Sequence, residues 1–98
     1  MQFEQVPDFH TLAGRILVDW HWKLSYLEFR TVLALSYQGY VGNTGLGAAD
    51  IADFAIIVGS KPEYVPRVLK ALDKLGVVRR FAKDGEQVYS LNPNWEPV

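Results

Sequence analysis

The chain has 98 residues, 49% hydrophobic and 21% charged, the balance of a folded domain with one core. It contains no cysteine, which excludes disulfides, thiolate metal sites and cysteine nucleophiles. No apolar run reaches the roughly 18–20 residues that span a bilayer, and Met1-Gln2-Phe3-Glu4 lacks a basic segment leading into an apolar one. A cytoplasmic protein without membrane contact is the expectation. The formal net charge is −1, but its distribution is uneven. Residues 1–58 carry Arg15, Lys23 and Arg30 against six acidic side chains. Residues 59–85 carry Lys61, Arg67, Lys70, Lys74, Arg79, Arg80 and Lys83 against only Glu63, Asp73 and Asp84. A polyanion responds to the local field more than to the sum, and an acidic protein partner would respond to it as well.

In chain order, Pro7 and Gly14 bracket a short helix from Asp8 to Ala13. Residues 15–22 read as a strand or as a continuation of that helix, and the helix is preferred. Ser25 and Glu28 form an S-x-x-E capping box. Phe29, Val32, Leu33, Ser36 and Tyr37 follow at helical spacing, with Arg30 and Gln38 turned away, so residues 26–38 are predicted as an amphipathic helix. The stretch from Gly39 to Gly47 has four glycines in nine residues and is predicted as a flexible loop. A second helix is predicted from Ala48 to about Ile57, with Ala48, Ala49, Ile51, Ala52 and Ala55 as its small-residue face.

Ser60 and Glu63 repeat the capping-box pattern. Val65, Val68, Leu69, Leu72 and Leu75 form the buried stripe of a third helix that stops at Gly76. Pro66 conflicts with an uninterrupted helix from Ser60. Either residues 60–65 form a separate turn, or the helix kinks at the proline. Residues 77–81 and 87–91 then alternate like strands around Asp84-Gly85, a strong hairpin-turn pair. The tail has one expected anchor, Trp95.

The predicted fold class is therefore α+β, mainly α with a small β-hairpin. Three segments carry a resemblance: Ala49-Asp-Ile-Ala-Asp-Phe54, then Ser60, then Tyr64-Val-Pro-Arg-Val-Leu-Lys-Ala-Leu-Asp-Lys-Leu-Gly-Val-Val-Arg-Arg80. They resemble the second helix, recognition helix and first wing strand of winged helix-turn-helix domains. With the hairpin, the likeness covers residues 25–91. Within that superfamily the chain is similar to N-terminal domains of phage replication-initiator proteins, which also place Val-Pro and Leu-Ser ahead of the motif, as at Val6-Pro7 and Leu24-Ser25. The run from Val68 to Val78 is similar to small winged-helix transcription regulators. The resemblance implies one domain: an N-terminal extension (1–24), a helical core (25–76), a wing hairpin (77–91) and a tail (92–98). One departure is the spacing from Ile51 to Val65, about three residues longer than the compact turn of the family. It calls for a longer second helix or a looser turn.

On the third helix, Tyr64, Arg67, Ala71 and Lys74 share one face, with Lys70 adjoining, opposite the Val/Leu stripe. A solvated surface has the same appearance. The resemblance implies that this face enters the major groove of double-stranded DNA, where arginine and lysine reach phosphates or guanine edges. A small residue such as Ala71 would let the helix approach closely. Ser60 and Lys61 stand at the helix start, where backbone amides can hold a phosphate. Arg79, Arg80 and Lys83 place charge along the hairpin, and adjacent strand residues face opposite ways, so only one of Arg79 and Arg80 serves a given surface.

The aromatic set Trp20, Trp22, Tyr26, Phe29, Tyr37 and Tyr40 is dense for so short a stretch. Trp20, Trp22 and Tyr40 are the expected protein interface, for a homodimer or for another partner of the aromatic N-terminal half. His10, His21 and Asp19 lack a third ligand for a metal. Gly42, Gly45 and Gly47 stand in the wrong order for a dinucleotide turn. No catalytic residues, cofactor or metal are expected. The expected function is DNA binding, as a small regulator or a phage-type replication factor. A protein-binding winged-helix module, such as a phage-encoded inhibitor or adaptor, is the alternative, favoured by the acidic first half and the paired tryptophans.

Overall fold

Leu12, Ile16 and Trp20 recur every four residues, and the helical run that carries them opens the fold. The computed structural model describes residues 9–97, and in it α1 (Phe9–Arg15) continues into a π turn (Ile16–Trp20) and a 3-10 turn (His21–Lys23). Residues 15–22 are thus helical throughout. The predicted helix start at Asp8, the Val6-Pro7 pair and the Met1–Glu4 segment lie outside the described residues.

The capping box that opens α2 (Tyr26–Tyr37) is formed. The Glu28 N–H donates to Ser25 Oγ at 3.2 Å, and the Ser25 N–H donates to Glu28 Oε1 at 2.8 Å. Each side chain satisfies an amide that the first turn leaves open. The buried face differs from the predicted stripe: Thr31, Val32, Ala34, Leu35 and Ser36 are buried, whereas Tyr37 is 66% exposed. Packing from α1, α3, α4 and the hairpin surrounds α2 on several sides, so one narrow stripe does not describe it.

A 3-10 turn (Ala48–Asp50) leads into α3 (Ile51–Val58), which ends at Gly59 with φ 77°. The predicted alanine face is corrected. Phe54, Ala55 and Val58 are buried, while Ala48, Ala49 and Ala52 are exposed. The spacing problem resolves as a looser turn. Pro62–Tyr64 form a separate 3-10 turn, and α4 (Val65–Leu75) begins at Val65. Pro66 therefore sits in the first turn of α4, where its missing N–H has no carbonyl to serve. The predicted Ser60–Glu63 cap is absent, because Lys61 takes the cap position and the Ser60 hydroxyl donates to the Lys61 carbonyl at 3.2 Å. Val65, Leu69 and Leu72 are buried as predicted, but Leu75 is exposed. Gly76, at φ 87°, ends the helix in the left-handed region that glycine adopts without strain.

Antiparallel strands β1 (Val78–Lys83) and β2 (Glu86–Leu91) pair from Val78↔Leu91 to Lys83↔Glu86. Asp84 and Gly85 both have positive φ, 52° and 77°. That is the geometry of a two-residue turn matched to strand twist, and it lets the strands run further than the predicted 77–81 and 87–91. The glycine-rich segment is held in place. Leu46 and Tyr89 exchange backbone hydrogen bonds of 2.6 and 3.0 Å, and the Leu91 N–H donates to the Tyr40 carbonyl at 2.8 Å. Residues 41 and 46 thus line the free edge of β2.

The tail closes the fold. Trp95 Nε1 donates to the Leu75 carbonyl at 2.9 Å, and its ring meets Trp20 edge-on at 5.4 Å between centroids. Arg15 lies over Trp20 and donates to the Pro93 carbonyl. Among the described residues no helix is long and apolar enough to cross a membrane.

Candidate nucleic-acid interface

Burying the Val65, Leu69 and Leu72 side of α4 turns the other side outward. Tyr64, Arg67, Lys70 and Lys74 are all exposed, with Ala71 half-buried among them. The fold thus brings three of the predicted contact residues onto one accessible face of α4, with Tyr64 beside them in the preceding 3-10 turn. Lys61 adjoins them, with its ammonium 5.9 Å from the centroid of the Tyr64 ring. Ser60 is half-buried in the turn between α3 and α4.

The hairpin cations divide as the strand alternation requires. Arg79 is paired with Ser90 and Arg80 with Tyr89, and directly opposed residues share a sheet face. Ser90 lies beneath the glycine-rich segment, donating from Oγ to the Gly42 carbonyl at 2.7 Å. Tyr89 packs on the core side. Arg79 and Arg80 are therefore on opposite faces, and Lys83 is exposed beside the turn. These three do not form one surface in the way the α4 side chains do.

The aromatic expectations need correction at one position. Trp20 is 2% exposed and belongs to the core, so it offers nothing to a partner. Tyr40 is half-buried, its ring edge-on to Phe54 at 6.1 Å, and desolvation followed by the Asp50 and Asp53 charges raises its hydroxyl pKa. Trp22, by contrast, is 61% exposed, with the Lys23 ammonium 5.1 Å from its ring centroid. The larger exposed apolar group lies elsewhere. Tyr37 and Ile57 border a groove between α2 and α3, also lined by Leu33 and Ala34. Its one charge, Arg30, donates to the Val58 carbonyl and lies over the Tyr26 ring.

Two long-range neighbours have no signal in the sequence. Glu86, on the turn side of β2, accepts from the Ala48 N–H at 2.8 Å and so ties the hairpin tip to the entry of α3. Asn43 joins Gly42, Phe81 and both hairpin arginines around a cleft. Each joins residues more than thirty positions apart, which no local spacing reveals. No protein-family model, curated protein or solved structure matches this chain.

Proposed function

We propose that this chain is a winged helix-turn-helix protein that binds double-stranded DNA with the outer face of α4, acting in the cytoplasm as a small regulator or a phage-type replication factor. The observation that carries the reading is the two-sided character of α4. Its apolar side is buried, and its exposed side presents Arg67, Lys70 and Lys74, with Tyr64 exposed in the 3-10 turn just before it. The element order from α2 onward supports it too, with an edge-lining segment after α2, then α3 and α4, and a hairpin directly after α4. Lys61 would take a phosphate beside α4, and Arg80 or Lys83 a phosphate from the hairpin. Fluorescence anisotropy of labelled duplex DNA at two salt concentrations tests this. Three or four phosphate contacts give a slope of about −3 to −4 in log affinity against log salt. An absence of binding at micromolar protein in low salt would overturn the reading.

The exposed apolar side chains of α2 and α3 favour a second reading, a protein-binding module. Ile56 is 78% exposed, and Tyr26 and Tyr37 are mostly exposed as well. Such a module keeps its partner when Arg67 and Lys70 are replaced.

A further inference from the structure

The helical run before α2 is apolar on two sides, and the fold buries only one of them. Leu12, Ile16 and Trp20 belong to the core, whereas Leu17, Val18 and Trp22 are exposed. A helical segment that is apolar all round is one that is covered all round. The π turn (Ile16–Trp20) keeps residues four apart roughly in line, so Leu17 and His21 share the outward side. Together with Tyr26 they rim a pocket of about 410 Å³, and the half-buried Leu24 and Phe29 form its floor. Both floor residues pack against the core. They flank the Ser25–Glu28 cap at the two positions that a hydrophobic staple brings together, so the floor is set by the turn that starts α2. The pocket lining includes no aspartate, glutamate, lysine or arginine. Trp22 follows His21 directly, and the Lys23 ammonium lies 5.1 Å from its ring centroid.

We propose that two copies of this chain meet on this surface, each placing its Trp22 in the other's pocket. Three observations select a second copy as the occupant. The indole and the pocket adjoin on one patch, which suits a twofold contact in which residue i meets j and j meets i. The patch carries one acid and one base, Asp19 and Lys23, both exposed, so a second copy offers each of them the opposite sign. The exposed parts of Leu17, Val18, Trp22 and Tyr26 come to roughly 500 Å² per copy, so pairing two copies buries about 1,000 Å², the threshold of a specific interface. An interface of that size belongs to weak, reversible association, with a Kd on the order of 10–100 μM. At the low micromolar protein of a denaturation experiment the monomer prevails, and Trp22 adds little to its stability. No α4 side chain lines the pocket, so the proposal stands apart from duplex binding.

The test is sedimentation equilibrium of the full chain without DNA, from about 1 to 500 μM, with tryptophan emission followed over the same range. The mass is expected to rise from monomer to dimer as the emission moves to the blue, because Trp22 leaves water. Trp22→Ala and Leu17→Glu should each weaken self-association by about 10-fold or more, with the melting temperature at low micromolar protein unchanged. A mixture of the two variants should associate more tightly than either alone. The intact Trp22 of the Leu17→Glu copy then has the intact pocket of the Trp22→Ala copy to enter. Ile56→Glu, on α3 and outside the pocket, should leave the dimer in place. A monomer at every concentration would overturn the proposal: the emission of an exposed indole would leave the patch to a different protein, and blue emission would mean that the chain covers Trp22 itself. Loss of the dimer in Ile56→Glu but not in Leu17→Glu would overturn it by moving the contact to α3. A mixture no stronger than its parts would overturn the exchange of Trp22. With DNA absent throughout, a failure of duplex binding has no bearing on these results.

Discussion

Trp20 and Trp22 stand two positions apart in the chain and have opposite surroundings. Trp20 is enclosed by Trp95 edge-on and by Arg15 over its ring, and Trp95 is itself fixed to the end of α4 through the Leu75 carbonyl. Removing the Trp20 indole leaves a cavity where the N-terminal helix, α4 and the tail meet. Neighbours tied by hydrogen bonds cannot readily collapse into it. Trp20→Ala is therefore expected to cost about 3–5 kcal/mol, a large part of the stability of a domain this size. Trp22, mostly in solvent, gives up little beyond its interaction with Lys23. Trp22→Ala should stay within about 0.5 kcal/mol. Urea denaturation of the two variants reads the contrast directly. A larger loss from Trp22 would mean that the core is not arranged around Trp20.

At the scale of elements, the glycines separate positions where a side chain is welcome from positions where it is not. Gly14 is exposed within α1, with no neighbouring atom within 4 Å of an added Cβ, so Gly14→Ala should stabilise by about 0.5–1 kcal/mol through helix propensity. Gly45 is pressed onto Val88, itself buried, and Gly45→Ala should destabilise by about 1–3 kcal/mol as the segment lifts from the hairpin. Thermal melts of both variants check the opposite signs. The same contrast explains which elements are legible in the sequence. The Ser25–Glu28 cap, the stop at Gly76 and the Asp84-Gly85 turn are local chemistry, and each forms where the residues stand. The pairing of residues 41 and 46 with β2 is a long-range backbone interaction, and a glycine-rich run carries no side-chain pattern to announce it. Ser60 and Glu63 show that a pattern can be present without its structure, since the turn at Pro62 moves the cap position to Lys61. The basic face of α4 is readable because three- and four-residue spacing is a property of a single helix. The Asn43 wall of the cleft and the Glu86 tie are not, because their partners come from distant elements.

For the whole molecule, a net charge of −1 means that long-range attraction to DNA is weak, and binding through α4 must come from a few local interactions. The described fold measures about 35 Å along its longest axis, roughly one turn of B-form duplex, and α4 presents only a few cations to it. Arg67 and Lys70 are then a large share of the total. Both are exposed, on the side of α4 away from Val65, Leu69 and Leu72, so the core does not depend on them. Arg67→Ala with Lys70→Ala should lower duplex affinity by at least about 10-fold, since each charge-assisted hydrogen bond is worth about 1.5–3 kcal/mol before any offset. The salt slope should become shallower by about one unit for each phosphate that the variant no longer neutralises. Folding stability should change by less than about 1 kcal/mol, as expected for two surface positions. Anisotropy and thermal denaturation of the same protein separate the effects. Weaker binding with an unchanged salt slope would assign the pair to base edges, and a parallel fall in affinity and stability would show that the face supports the fold and does not serve a ligand.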